Sequence, residues 1–278
     1  MKKAIALAPD SEQLVYETAV LMDMQGAPAK EKIAFLLSHS ITRDDCITEL
    51  SKAYNQDMQP EKAIETLMSH IFVPCEGGEH AIADQYLFAH LVIGRRQLAA
   101  GDVKGALAAF RKGQVLPQSL GAGIWNHCKL VPLKYFEAVC LEKCGDKAAA
   151  DAIFRYIATI GIEYFSNMHL KELPYYQARA WQHLGEELKA QRLMTVYRRE
   201  WKNIDKVRDN GFFGTTPFFI SFTDDPQKLR RAQHCYLNAL VCDFMGEKEK
   251  AQAYLSESIA LQSENLPALT FSIQGFLV

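Results

Sequence analysis

The chain has 278 residues, more than one ordinary globular core holds, so it suits either two domains or an elongated repeat array. A hydrophobic share of 49% with 23% charged residues is the balance of a folded soluble protein, and a net charge of −2 excludes a bulk field that would draw in nucleic acid or anionic lipid. No uncharged apolar run approaches the ~18 residues needed to cross a bilayer. The opening MKKAIALAPD stops after about five apolar residues at Pro9-Asp10, too short for an export signal, so the chain is expected to be cytoplasmic, without a membrane or nucleic-acid partner.

The predicted elements are helices throughout. KKAIALAPD reads as the tail of a second helix of some earlier pair, which would place residue 1 inside a longer array. Segments 11–25 and 29–40 make a weak first hairpin, 11–40. Five clearer hairpins follow, spanning 44–70, 82–115, 127–160, 172–203 and 227–262, and 266–275 reads as a C-terminal cap. At the turn inside each of the last four hairpins stands a Gly-acid pair: Gly101-Asp102, Gly145-Asp146, Gly185-Glu186 and Gly246-Glu247. The Gly suits a left-handed exit from the first helix, and the acid suits the positive end of the second.

A longer pattern runs through all five clear hairpins. Ala stands five residues after each Gly, at 106, 150, 190 and 251, and Ala63 fits the same frame without its Gly. Four residues beyond each Ala is a large apolar side chain: Leu67, Phe110, Phe154, Met194 and Leu255. Twelve residues before each Ala is a small one: Ser51, Gly94, Ala138, Ala178 and Ala239. Two antiparallel helices approach closely only where one offers a side chain this small, so the pattern is a packing rule written into the chain. It resembles the tetratricopeptide repeat. The resemblance implies an all-α fold, a tetratricopeptide-like α-solenoid in which helical hairpins stack into a right-handed superhelix, here one repeat domain over residues 1–278.

The anchor Ala residues advance by 43, 44, 40 and 61, against about 34 in a simple array of this kind. The surplus falls between hairpins, in connectors 71–81, 116–126, 161–171 and 204–226, which are expected to gather along one edge. Their composition is apolar and aromatic, with five Phe between Phe212 and Phe222, so they must pack on something. In the first connector Glu76 and Glu79 flank Gly77 and Gly78; the glycines admit a close backbone approach, and the acids could bind hydroxyls, cap a helix or move protons. Trp125 and Asn126 in the second, and Asn210, Phe212, Phe213, Phe218 and Phe219 in the fourth, complete the candidate binding residues. His70, Cys75, His80 and His90 match no zinc spacing, no phosphate-binding glycine loop is present, and no nucleophile sits by a base, so neither a metal, a cofactor nor a catalytic residue is assigned. The seven Cys read as buried small hydrophobes in a reducing compartment. The doublets Arg95-Arg96, Arg198-Arg199 and Arg230-Arg231 read as solvated or salt-bridged faces, and Asp225 before Pro226 as an N-cap.

The connector segments FVPCEGGE, LGAGIWN, IEYFSNM and DNGFFGTTPFFISFTDDP are similar to parts of the C-terminal repeat region of large bacterial proteins that carry an N-terminal β-rich, mutarotase-like domain of unknown function. The likeness covers roughly residues 44–265. The family pattern around the double glycine has Trp where Cys75 stands and Gly where His80 stands, so an aromatic stacking role does not carry over there. The resemblance implies a non-catalytic interaction or accessory domain whose partner is a protein domain or peptide, with carbohydrate reached through the partner domain. Two alternatives stay open: a free-standing peptide-binding scaffold with an open groove, and a carbohydrate-active site using the connector carboxylates.

Overall fold

The computed structural model describes residues 2–74, 79–123, 127–161, 170–202 and 225–277. All regular structure among them is helical. The α-helices are α1 (Lys2–Leu7), α2 (Glu12–Met24), α3 (Ala29–Leu37), α4 (Asp44–Gln56), α5 (Pro60–Met68), α6 (Glu79–Ala99), α7 (Val103–Gly113), α8 (Val131–Lys143), α9 (Lys147–Thr159), α10 (Leu173–His183), α11 (Glu187–Trp201), α12 (Pro226–Phe244), α13 (Lys248–Leu261) and α14 (Leu266–Gln274). Single 3-10 turns lie at Gln118–Leu120 and His127–Leu130, the second where a continuous helix from 127 was expected. No helix among the described residues is long and apolar enough to cross a membrane.

Sequence neighbours pack as pairs: α4 with α5, α6 with α7, α8 with α9, α10 with α11, and α12 with α13. The second helix of each pair then meets the first helix of the next. The recurrent residues lie where these helices touch. Ser51, Ala138, Ala178 and Ala239 are fully buried, as are the five anchor Ala residues and Leu67, Phe110, Phe154, Met194 and Leu255. At Gly94 the approach is closest: a methyl group there would stand 2.4 Å from the Phe110 ring. The turn chemistry follows the sequence too. Gly101, Gly145, Gly185 and Gly246 hold φ between +76° and +86°, and Asp102 and Asp146 accept hydrogen bonds from the Gly105 and Ala149 amides in the next helix. In the 44–70 hairpin, which lacks the glycine, Met58 occupies the equivalent place with φ +55°, a conformation that disfavours a Cβ-bearing residue by roughly 1–2 kcal/mol. Asp225 caps α12 by accepting from the Gln227 amide at 2.9 Å, with Pro226 at the first helical position, as expected.

The central core runs from Leu87 on α6 to Leu277, with Tyr135 at its middle. The Tyr135 ring meets Phe136, Phe154 and Tyr176 edge-on, and its hydroxyl pairs with His183 Nε2 at 3.1 Å. A smaller cluster around Val15, Leu36, Cys46 and Tyr54 holds the first three long helices together. Beside it Lys32, 1% exposed, donates to Asp23 at 2.6 Å and to Glu49 at 3.0 Å. Lys52 shares Asp23 and reaches Glu264 at 2.6 Å. Burial alone would lower the Lys52 pKa; the surrounding carboxylates Glu49, Asp23 and Glu264 outweigh it and raise it.

That last ion pair joins residues 212 apart in the chain. It belongs to a larger arrangement in which the C-terminal segment lies across the first helices of the pairs. Helix α14 packs on α4 and α6 as well as on α13. Leu266 sits among Phe88 and Val92 of α6. Phe271 meets Tyr175 of α10 and Tyr236 of α12, and stacks on Phe276. Arg95 of α6 donates to the main-chain oxygens of Gln274 (3.1 Å) and Gly275, with its guanidinium 4.9 Å from the Phe136 ring and 5.4 Å from the Phe271 ring. In return the Gln274 side chain donates to the Val92 oxygen at 3.0 Å.

Candidate functional site

One cavity of about 630 Å3 opens where the early turns of the first helices converge with the chain leading into α14. Asp84, Phe88 and Leu91 come from α6, Lys129 from the 3-10 turn, Leu133 from α8, Leu170, Lys171 and Glu172 from the approach to α10, Gln233 and Tyr236 from α12, and Glu264 and Leu266 from the C-terminal segment. The residues around 84, 129, 171 and 229 stand at or just beyond the C-terminal ends of the four long connectors in turn. The described parts of the first two connectors also meet: the Phe72 amide donates to the Ser119 oxygen at 2.9 Å, and Phe72 and Leu120 are buried together. Gly121, at φ +58°, passes so close that a methyl there would stand 2.6 Å from the Phe72 oxygen.

The cavity lining is shared about evenly between apolar and polar side chains. Lys129 pairs with Asp84 at 2.6 Å, and Glu264 with Lys52. Lys171 donates to the neutral Gln233 side-chain oxygen at 2.7 Å. Glu172 is different: it is 8% exposed, and no cation among the described residues comes within ion-pair distance of it. Burial pushes its carboxyl pKa up, with its own backbone amide, the Tyr236 hydroxyl and Lys171 only partly offsetting this. Tyr236 is 5% exposed, and its hydroxyl has no well-aligned hydrogen-bond partner among the described residues; burial, with the Glu172 carboxyl beside it, drives its pKa well up. Burial likewise lowers the Lys171 pKa. A buried carboxyl without an ion pair among the described residues, beside a tyrosine hydroxyl, can hold a ligand with donors or positive charge. No nucleophile with an oriented base lies among the lining residues.

Glu76, Gly77, Gly78, Trp125, Asn126, Asn210, Phe212, Phe213, Phe218 and Phe219 fall outside the described residues, as does Cys75. Glu79 begins α6, three residues earlier than the helix was expected to start. Among the described residues no three His, Cys, Asp or Glu side chains converge as metal ligands would. Cys46, Cys128, Cys140, Cys235 and Cys242 are buried, as expected, whereas Cys144 is exposed.

The arginine doublets divide. Arg198 and Arg231 pair with Glu247 and Glu257, and Arg96 pairs with Glu61 at 2.9 Å, as a solvated face should. Arg95 does not: it is 6% exposed and bonds carbonyl oxygens instead of a carboxylate. Position supplied the hint that was missed, since Arg95 follows Gly94, the small residue at the helix crossing, and so stands on the packed side of α6. Glu172 carried a fainter one: it immediately precedes Leu173-Pro174, the start of a helix whose first residues are buried. No family model matches the chain, and no solved structure matches it.

Proposed function

We propose that the chain is a tetratricopeptide-like α-solenoid that acts by binding, as an interaction or accessory domain of a carbohydrate-related bacterial protein. The observation that carries this reading is the placement of the recurrent small residue, Ala and large apolar residue at the buried contact of every clear helix pair, with each pair packed on the next. Such arrays present extended surfaces, and function lies in what those surfaces hold. A second observation separates this from the free-standing peptide scaffold. The faces of the first helices, which an open groove would offer to a peptide, carry the chain's own α14, Phe271 and the Gln274–Gly275 backbone. The surface left for a partner is the edge where the described parts of the first two connectors meet, at Phe72 and Leu120.

Partner chemistry follows from the connector resemblance: a β-rich, sugar-binding type of domain. The test is to mix the purified chain with such a domain encoded beside it or in frame with it, and to follow sedimentation and hydrogen exchange. A one-to-one complex is expected that protects Phe72, Leu120 and the residues around Lys171. A β-rich domain that is fully stable and active by itself and forms no complex would refute the reading.

A further inference from the structure

We infer that the cavity is a binding site for an organic cation, a primary ammonium on an apolar body, received by Glu172 and Tyr236. The inference goes beyond the interaction role, because it concerns a small ligand within the fold and needs no protein partner.

Three observations carry it. The first is size: a cavity of about 630 Å3 lies within the range of about 300–1,000 Å3 typical of small-molecule sites. The second is charge. A carboxylate taken out of water is costly unless it is paired, and Glu172 has no cation within ion-pair distance among the described residues. Its neighbour Lys171 is turned to Gln233, and Lys129 is occupied by Asp84. Of the three acids in the lining, Asp84 is paired with Lys129 and Glu264 with Lys52, which leaves Glu172 as the one without an ion pair among the described residues. The third is the Tyr236 hydroxyl, buried beside the same carboxyl and without another aligned partner among the described residues. An ammonium group offers three donors, enough to give Glu172 a charge-assisted bond and Tyr236 a proton to accept. The aromatic faces of Phe88 and Tyr236 suit a cation, and Leu91, Leu133 and Leu266 suit an apolar body. A neutral polyol would leave the Glu172 charge uncompensated.

The experiment is calorimetric titration of the full chain with 2-phenylethylamine, agmatine, spermidine and lysine methyl ester, with 2-phenylethanol and glucose as neutral controls. At least one amine is expected to bind at one site per chain. Glu172→Gln should weaken that amine about ten- to hundredfold, the loss of one charge-assisted bond, and Tyr236→Phe about three- to tenfold. Glu172→Gln is isosteric and removes a buried charge, and its unchanged circular dichroism would show that lost binding is not lost folding. The inference is overturned if no amine binds the native chain, if Glu172→Gln binds the amine as tightly, or if 2-phenylethanol or glucose binds as well as the amines.

Discussion

Replacing His90 by Leu is expected to flatten the acid side of the stability curve. His90 is 3% exposed on α6, packed against Gly113 of α7 so tightly that a methyl at Gly113 would stand 2.6 Å from its Cβ. The Tyr86 ring meets it edge-on at 4.6 Å, and neither ring nitrogen has a hydrogen-bond partner among the described residues. Burial, helped by the charge of Lys112, pushes its pKa down to about 4 from 6.5. The fold thus favours the neutral ring, while the unfolded chain takes up a proton near pH 6.5. The His90 contribution is complete above that pH and is lost as the pH falls toward the folded value. Linkage gives a loss of about 2 kcal/mol by pH 5 and about 3 kcal/mol by pH 4. Urea unfolding at pH 7, 5 and 4, followed by circular dichroism, measures it. The native chain should lose that much more stability than His90→Leu over the interval, whatever the two differ by at pH 7. Unfolding curves that shift in parallel, or a His90 ring titrating near pH 6.5 by NMR, would refute the reasoning.

Three further changes follow from the geometry. Gly94→Ala should cost about 1–3 kcal/mol by overpacking against the buried Phe110 ring, and the cost should shrink in a Phe110→Leu background; equal costs in the two backgrounds would remove the contact as the cause. Gly145→Ala should cost about 1 kcal/mol in urea unfolding although the new methyl meets no atom within 4 Å, because only the backbone at φ +86° objects. Glu172→Gln should raise the melting temperature at pH 7. The carboxyl pKa is raised in the fold, so its favourable state is the protonated one, present at low pH and lost as the pH rises; the gain should therefore vanish near pH 4. Burial sets this shift, offset in part by the Glu172 backbone amide, the Tyr236 hydroxyl and Lys171. A Glu172→Gln chain less stable than the native one at pH 7 would contradict it.

The helical architecture was legible because its rules are local. A small residue, Ala and a large apolar residue at fixed offsets state where two helices of one pair meet, and Gly101, Gly145, Gly185 and Gly246 mark the turns between them. Where a local signal was absent the reading was less complete. Met58 does the work of a glycine without looking like one, and Pro132 starts α8 later than its apolar pattern suggested, leaving 127–130 as a 3-10 turn. The C-terminal segment was legible as a helix but not as a lining for other helices. Its contacts, Lys52 with Glu264 and Arg95 with the oxygens of Gln274 and Gly275, join residues some two hundred positions apart, and no periodicity encodes them. The cavity was illegible for the same reason. Glu172 and Tyr236 are 64 residues apart and come from different helix pairs, so their meeting depends on stacking, not on spacing.

The way the chain covers the faces of its own first helices, and so walls the cavity, is open to one direct measurement: native-state hydrogen exchange of the amides in α14 against those in α6. If residues 266–274 are part of the packed interior, their amides should exchange as slowly as those of 88–96 and open in the same cooperative step. Complete exchange of 266–274 within seconds, while α6 stays protected, would contradict it.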